Sequence, residues 1–166
     1  MEPCEEYENL LKGRFAEAVV EAIFRGSEIS YERTGYECIP PAMRNETLLG
    51  ESPDLLPDFK IWWTKDGKRQ EERIEVKYRT NGKLSPEDIE RFLLQRSPTV
   101  ILLRLERPTS PNNNGHLCVI KPPYKSRSHG FHFSEPLSAQ PWGVNPTVLA
   151  RCETIASLIG YWHWGL

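Results

Sequence analysis

Asp66-Gly67 stands between two runs that each read as a strand, Pro57-Asp58-Phe59-Lys60-Ile61-Trp62-Trp63 and Arg73-Ile74-Glu75-Val76-Lys77-Tyr78-Arg79. Asp-Gly in that setting is a strong short-range signal for a two-residue hairpin turn. A turn that short leaves no slack. Counting back along both strands from the turn sets Asp58 directly opposite Glu75. Opposed residues hold their β-carbons roughly 4.5–5.5 Å apart, where like charges repel. Two readings of this face are open. In one, a divalent metal ion sits between the carboxylates. In the other, Lys60 facing Arg73 and Lys77 diagonal to Asp58 make a ladder of exposed ion pairs, each worth about 0.2–1 kcal/mol.

Period-two alternation puts Glu75 and Lys77 on one face of their strand and Ile74 and Val76 on the other, toward a core. Pro57-Asp58, a short excursion and then Glu75-Val76-Lys77 resembles the signature of the PD-(D/E)XK nuclease superfamily. The rest of the chain is consistent with that resemblance. A helical pattern runs from about Tyr7 to Arg25, with Leu11, Phe15, Ala18, Val19 and Ala22 on one stripe and Ala16, Val20 and Phe24 on a second, so the helix should be largely buried. Glu28 to Glu37 alternates as a strand. A long irregular stretch, Cys38 to Leu56, leads to Asp58; its Pro53-Asp54 is a rival motif start, but only Asp58 runs directly into an apolar strand. Ser85-Pro86-Glu87-Asp88 opens a helix to about Gln95 that buries Ile89, Phe92 and Leu93. Thr99 to Leu105 reads as a central strand covered on both faces, and Leu117 to Ile120 as one more.

That order resembles the superfamily's common core over residues of about 7 to 121. It implies an α/β fold of the restriction-endonuclease-like αβββαβ type, with a central mixed sheet flanked by helices. Asn145-Pro146 adds a C-terminal helix over about 146–160, with Val148, Leu149, Cys152, Ile155, Ala156 and Ile159 as its stripe, Gly160 as its stop and Tyr161-Trp162-His163-Trp164 as an aromatic tail. With 166 residues, a single domain is expected.

The resemblance implies a metal-dependent nuclease with Asp58, Glu75, Lys77 and Glu17 as catalytic residues. Asp58, Glu75, the Val76 backbone carbonyl and Glu17 would be the metal ligands. Gly13-Arg14-Phe15-Ala16-Glu17 looks like the superfamily's first-helix segment, with Glu21 in reserve; the residues alone read equally as a surface carboxylate paired with Arg14, beside a Glu21–Arg25 pair. Hard oxygen donors suit Mg²⁺ or Mn²⁺. Gln95 is a candidate substrate contact.

Formal net charge is −2, so nucleic-acid contact must come from a local patch. The segment from Arg107 to Ser134 has no acid. It carries Arg107, Lys121, Lys125, Arg127 and three histidines, interleaved with Tyr124, Phe131 and Phe133. Lys121, Lys125, Arg127 and Tyr124 are the candidates to track phosphates and stack on bases, DNA being favoured over RNA; the alternative is a solvated surface loop. His129 and His132 lack the helical spacing of a zinc pair. Four scattered cysteines form no Cys-x-x-Cys pair and suggest no disulfide framework. With no apolar signal core and no run of transmembrane length, a cytoplasmic protein is expected. Two other functions fit the chain: a catalytically inactive nucleic-acid-binding or assembly module on the same fold, and an interaction protein or homodimer using the C-terminal aromatic helix.

Overall fold

A computed structural model describes residues 3–34, 56–80, 82–104, 116–125 and 133–164, with side chains between 7 and 159 within those spans. In chain order the elements are α1 (Pro3–Gly26), β1 (Ser30–Arg33), β2 (Phe59–Lys65), β3 (Lys68–Tyr78), α2 (Pro86–Leu94), β4 (Thr99–Leu103), β5 (Leu117–Ile120), β6 (Glu135–Pro136), a 3-10 turn (Leu137–Ala139) and α3 (Pro146–Trp164). The six strands form one sheet in sequential order. The β3–β4 pair is parallel and the others are antiparallel. The parallel pair needs a crossover, and α2 supplies it.

The hairpin has the register its turn dictates, with Lys65 opposite Lys68 and Phe59 opposite Ile74. Asp66 and Gly67 both have positive φ, 53° and 72°, as a two-residue hairpin turn of this kind requires. On one side of the sheet Phe59, Ile61, Ile74, Val76, Ile101, Leu103, Leu117 and Val119 pack against Ala16, Val20, Ile23 and Phe24 of α1 and against Leu149 and Ala156 of α3. On the other, Val100, Leu102, Cys118 and Ile120 pack with Leu84, Phe92 and Tyr124. All five residues of β4 are buried, as its unbroken apolar run predicts for a strand covered on both faces.

Several expectations need correction. On α1 the buried stripe is Ala16, Val19, Val20, Ile23 and Phe24, whereas Ala18 and Ala22 are exposed. Leu11 is 65% exposed beside Tyr7 and Leu10: the helix begins at Pro3, and among its described side chains those buried in the core lie in the C-terminal half, from Ala16 to Phe24. Leu93 on α2 and Ile155 on α3 also face outward; each stripe is narrower than its apolar residues suggest. Gly160 does not stop α3, which continues to Trp164. Glycine lowers helix propensity by about 1 kcal/mol but does not forbid a helix. β1 covers four residues, β4 ends at Leu103, and β6 is an unforeseen two-residue edge strand. The stretch with Pro53-Asp54, Arg107, Arg127, His129, Phe131 and His132, and the side chains of the aromatic tail, lie outside what is described.

Candidate active site

Asp58 immediately precedes β2 and is held from three directions. Its carbonyl accepts the Thr34 amide at 3.0 Å, the Thr34 hydroxyl donates to the Pro57 carbonyl at 2.5 Å, and its own Oδ2 accepts the Val76 amide at 2.7 Å. Thr34, just past β1, therefore fixes the main chain at Asp58, and Val76 near the C-terminal end of β3 fixes the carboxylate. Extended residues point N–H and C=O to the same side of a strand. The Val76 carbonyl thus faces the same edge as the amide that Asp58 caps.

Glu75 is the next residue back on β3 and is 1% exposed. A buried carboxylate must be paired and hydrogen-bonded. Lys77 Nζ lies 2.7 Å from Oε1, Arg91 reaches the same oxygen from α2 at 3.7 Å, and Gln95 Nε2 donates to Oε2 at 3.4 Å. Gln95 also donates to the Leu56 carbonyl at 3.5 Å, tying the end of α2 to the segment that delivers Asp58. Its Oε1 is buried with no hydrogen-bond partner among the described residues.

Burial first, and then the negative charge of Glu75, push the Asp58 carboxyl well above the usual carboxylate range; Glu17 adds to the rise, while the Val76 amide and Lys77 oppose it. The electrostatics thus place Asp58 and Glu75 within each other's field, as the hairpin register predicts. The salt-bridge-ladder reading accounts for Lys60, which bridges Glu71 at 2.9 Å. It does not account for Glu75, which is buried.

Glu17 contributes to the same field but is engaged by two guanidinium groups, Arg14 at 3.1 Å and Arg33 at 3.0 Å. The Arg14 pairing expected from the residues alone is present, as is Glu21–Arg25 at 3.2 Å. The bridge from Arg33, which also approaches Glu21 at 3.6 Å, depends on where β1 docks and left no local signal. Among the described residues no three His, Cys, Asp or Glu side chains converge closely enough to hold a metal ion. The donors on hand are two carboxylates and the Val76 carbonyl.

The phosphate-tracking candidates fare unevenly. Lys121 and Lys125 are exposed, with Lys121 bridged to Glu135 at 3.2 Å. Tyr124 is 4% exposed; its hydroxyl donates to the Pro98 carbonyl at 2.6 Å and its ring packs 5.5 Å from Phe92. It cannot stack on a base. Burial and the nearby Glu75 charge push its hydroxyl far up, so it stays a neutral donor that buttresses the floor of the site.

Arg91 was missed from sequence because it lies on the exposed side of α2 as judged by period alone. Comparison of the chain with protein-family models, curated proteins and solved structures gave no match. Among the described residues no helix is long and apolar enough to cross a membrane.

Proposed function

We propose that this chain is a metal-dependent nuclease that hydrolyses phosphodiester bonds in nucleic acid, DNA in preference to RNA, on a restriction-endonuclease-like core. The observation that carries the reading is the placement of Asp58 beside Glu75, with Lys77 on the same strand face 2.7 Å from Glu75. The helix, three strands, helix, two strands order is compatible with such a core.

The donor set suits a hard divalent ion with few protein ligands. Mg²⁺ characteristically takes one or two carboxylates and keeps several waters. Burial first and then the neighbouring Glu75 charge raise the Asp58 carboxyl, and a cation held by Asp58, Glu75 and the Val76 carbonyl would offset both. Such an ion supplies Lewis-acid polarisation of the phosphate and an acidified water. The protein's own contributions follow from position. Asp58 and Glu75 fix the site rigidly, since each is held by main chain or by α2. Lys77 is a compact point-charge donor that orients the attacking water or donates to the oxygen where charge accumulates. The orphaned Gln95 Oε1 accepts a hydrogen bond from a water in the site, and Glu17 interacts with the site through water.

A second reading has a specific observation in its favour. Glu17 is taken up by Arg14 and Arg33, leaving two acidic side chains for a metal. A nuclease-fold module that binds nucleic acid without cutting it would keep this arrangement. The test is cleavage of labelled single-stranded, duplex and branched DNA and of RNA with Mg²⁺ or Mn²⁺, comparing wild type with Asp58→Ala and Lys77→Ala. Cutting lost in both variants supports the nuclease. Binding without cutting, unchanged in Asp58→Ala, supports the binding module.

A further inference from the structure

Glu17 and Glu21 lie one turn apart on α1, and Arg33 reaches both. Arg33 is opposite Phe59 in the β1–β2 register, and its guanidinium lies 5.2 Å over the Phe59 ring. It is therefore stationed one residue from Asp58, on the side of the sheet that α1 covers. From there Nη2 donates to Glu17 Oε2 at 3.0 Å, and Nε lies 3.6 Å from Glu21 Oε2. The first contact is a hydrogen bond and the second is too long to be one. Nε is buried with no hydrogen-bond partner among the described residues.

The two acids differ in what else holds them. Glu21 Oε1 accepts the Tyr31 hydroxyl at 2.9 Å and Arg25 at 3.2 Å, which anchors that carboxylate with Oε2 toward Arg33. Glu17 Oε2 accepts Arg14 and Arg33 together, and Glu17 is the acid of α1 whose charge reaches Asp58. A guanidinium with one full bond and one incomplete bond has a second arrangement close by. Closing Nε onto Glu21 takes a shift of about 0.6 Å.

We propose that Arg33 is a positioning residue that moves between Glu17 and Glu21, and so sets whether Glu17 serves the divalent metal ion of the Asp58–Glu75 site. The inference rests on the nuclease reading for that ion. While Arg33 stays on Glu17, two guanidinium groups compete with the ion for one carboxylate. On Glu21, Arg33 keeps its charge answered and gains the Nε bond, which offsets the cost of leaving. A ligand shifts such an equilibrium only by its differential affinity for the two states, and here the difference is one acidic side chain. Glu17 and Glu21, which the sequence offers as alternatives, are thus two stations of one arginine.

The experiment is calorimetric titration with Mn²⁺ alone. It compares wild type with Arg33→Gln, Glu21→Gln, Glu17→Gln and the Arg33→Gln/Glu17→Gln double variant. Thermal melting without metal checks that each is folded, and Arg14→Gln, on an exposed side chain, keeps the test open if Arg33→Gln is not. Arg33→Gln should bind Mn²⁺ about five-fold or more tighter, and Arg14→Gln should shift the same way. Glu21→Gln should weaken binding, because Arg33 then has only Glu17. In the Glu17→Gln background the Arg33 substitution should change nothing. Unchanged or weaker binding in the arginine variants overturns the proposal. So does a gain of equal size in the Glu17→Gln background, which marks the general field of one fewer positive charge. If wild type and Arg33→Gln bind Mn²⁺ alike, the exchange fails while the metal site stands; if no variant binds Mn²⁺, both fail. If the expected pattern appears but no nucleic acid is cut, the exchange stands and the nuclease reading fails.

Discussion

Asp58 caps the β2–β3 ladder. Its Oδ2 takes the Val76 amide at 2.7 Å, one step past the last main-chain pair, Phe59 with Ile74. One carboxylate thus closes a hydrogen-bond ladder and faces a buried neighbour of the same charge. The first task asks only for an acceptor, whereas the second makes the charge a burden.

Asp58→Asn keeps an acceptor for Val76 and removes the charge. It should raise stability at neutral pH without metal by about 1–2 kcal/mol, a gain of roughly 2–4 °C per kcal/mol in melting temperature for a chain of this size, while abolishing cleavage. The sign follows from the raised carboxyl. Its stabilising contribution is complete below the unfolded value near 3.9 and is lost as pH rises through the folded one. The melting gap between variant and wild type should widen from pH 4 upward. Added Mg²⁺ should close it by stabilising wild type alone. A gap independent of pH and Mg²⁺ would count against two opposed acids.

Lys77→Met strands Glu75 in a nearly dry site with Arg91 at 3.7 Å as the remaining cation. Removing one partner of a buried pair costs about 3–5 kcal/mol, and Arg91 should hold the loss to about 2–4. Glu75→Gln in the same chain should recover most of it. Chemical denaturation of the two single variants and the double variant measures the coupling, and additive losses would mean the pair is not a unit.

Asp88 has the opposite pH signature to Asp58. Burial works against its charge, but the Ser85 amide and Arg79 outweigh it and hold the carboxyl below its usual range. Its contribution is present above the unfolded value near 3.9 and is lost as pH falls through the folded one. Asp88→Ala removes the capping box and the Arg79 clamp together, for about 2–3 kcal/mol at pH 7. The deficit should shrink in acid-unfolding curves below about pH 4.

Gly82→Ala meets both a left-handed φ and the Arg104 side chain at 2.9 Å. The backbone cost alone is about 1–2 kcal/mol. Displacement of the Arg104 side chain should add to that loss, which chemical denaturation of the variant against wild type measures.

The sequence was most informative where the signal is local. Asp66-Gly67 specifies its own turn, the turn specifies the register, and the register brings Asp58 to Glu75. Ser85-Pro86 with Asp88 specifies the start of α2, and the capping box is formed. What stayed hidden depends on docking. Which stripe of α1 is buried is decided by where the helix lies on the sheet, and apolar residues on both stripes gave no preference. Tyr124 reads as a surface aromatic between lysines until the fold carries it over Phe92.

The two-residue turn makes the site vulnerable to a kind of change that ordinary substitutions do not reach. Side chains alternate faces with a period of two, so inserting one residue into β3 between Gly67 and Ile74 would force a choice. Either a bulge absorbs the extra residue, or Glu75 is driven toward the Phe24–Trp142 side of the core while Ile74 takes its place. Codon-length insertions and deletions in this hairpin should therefore act as an on–off switch for the site.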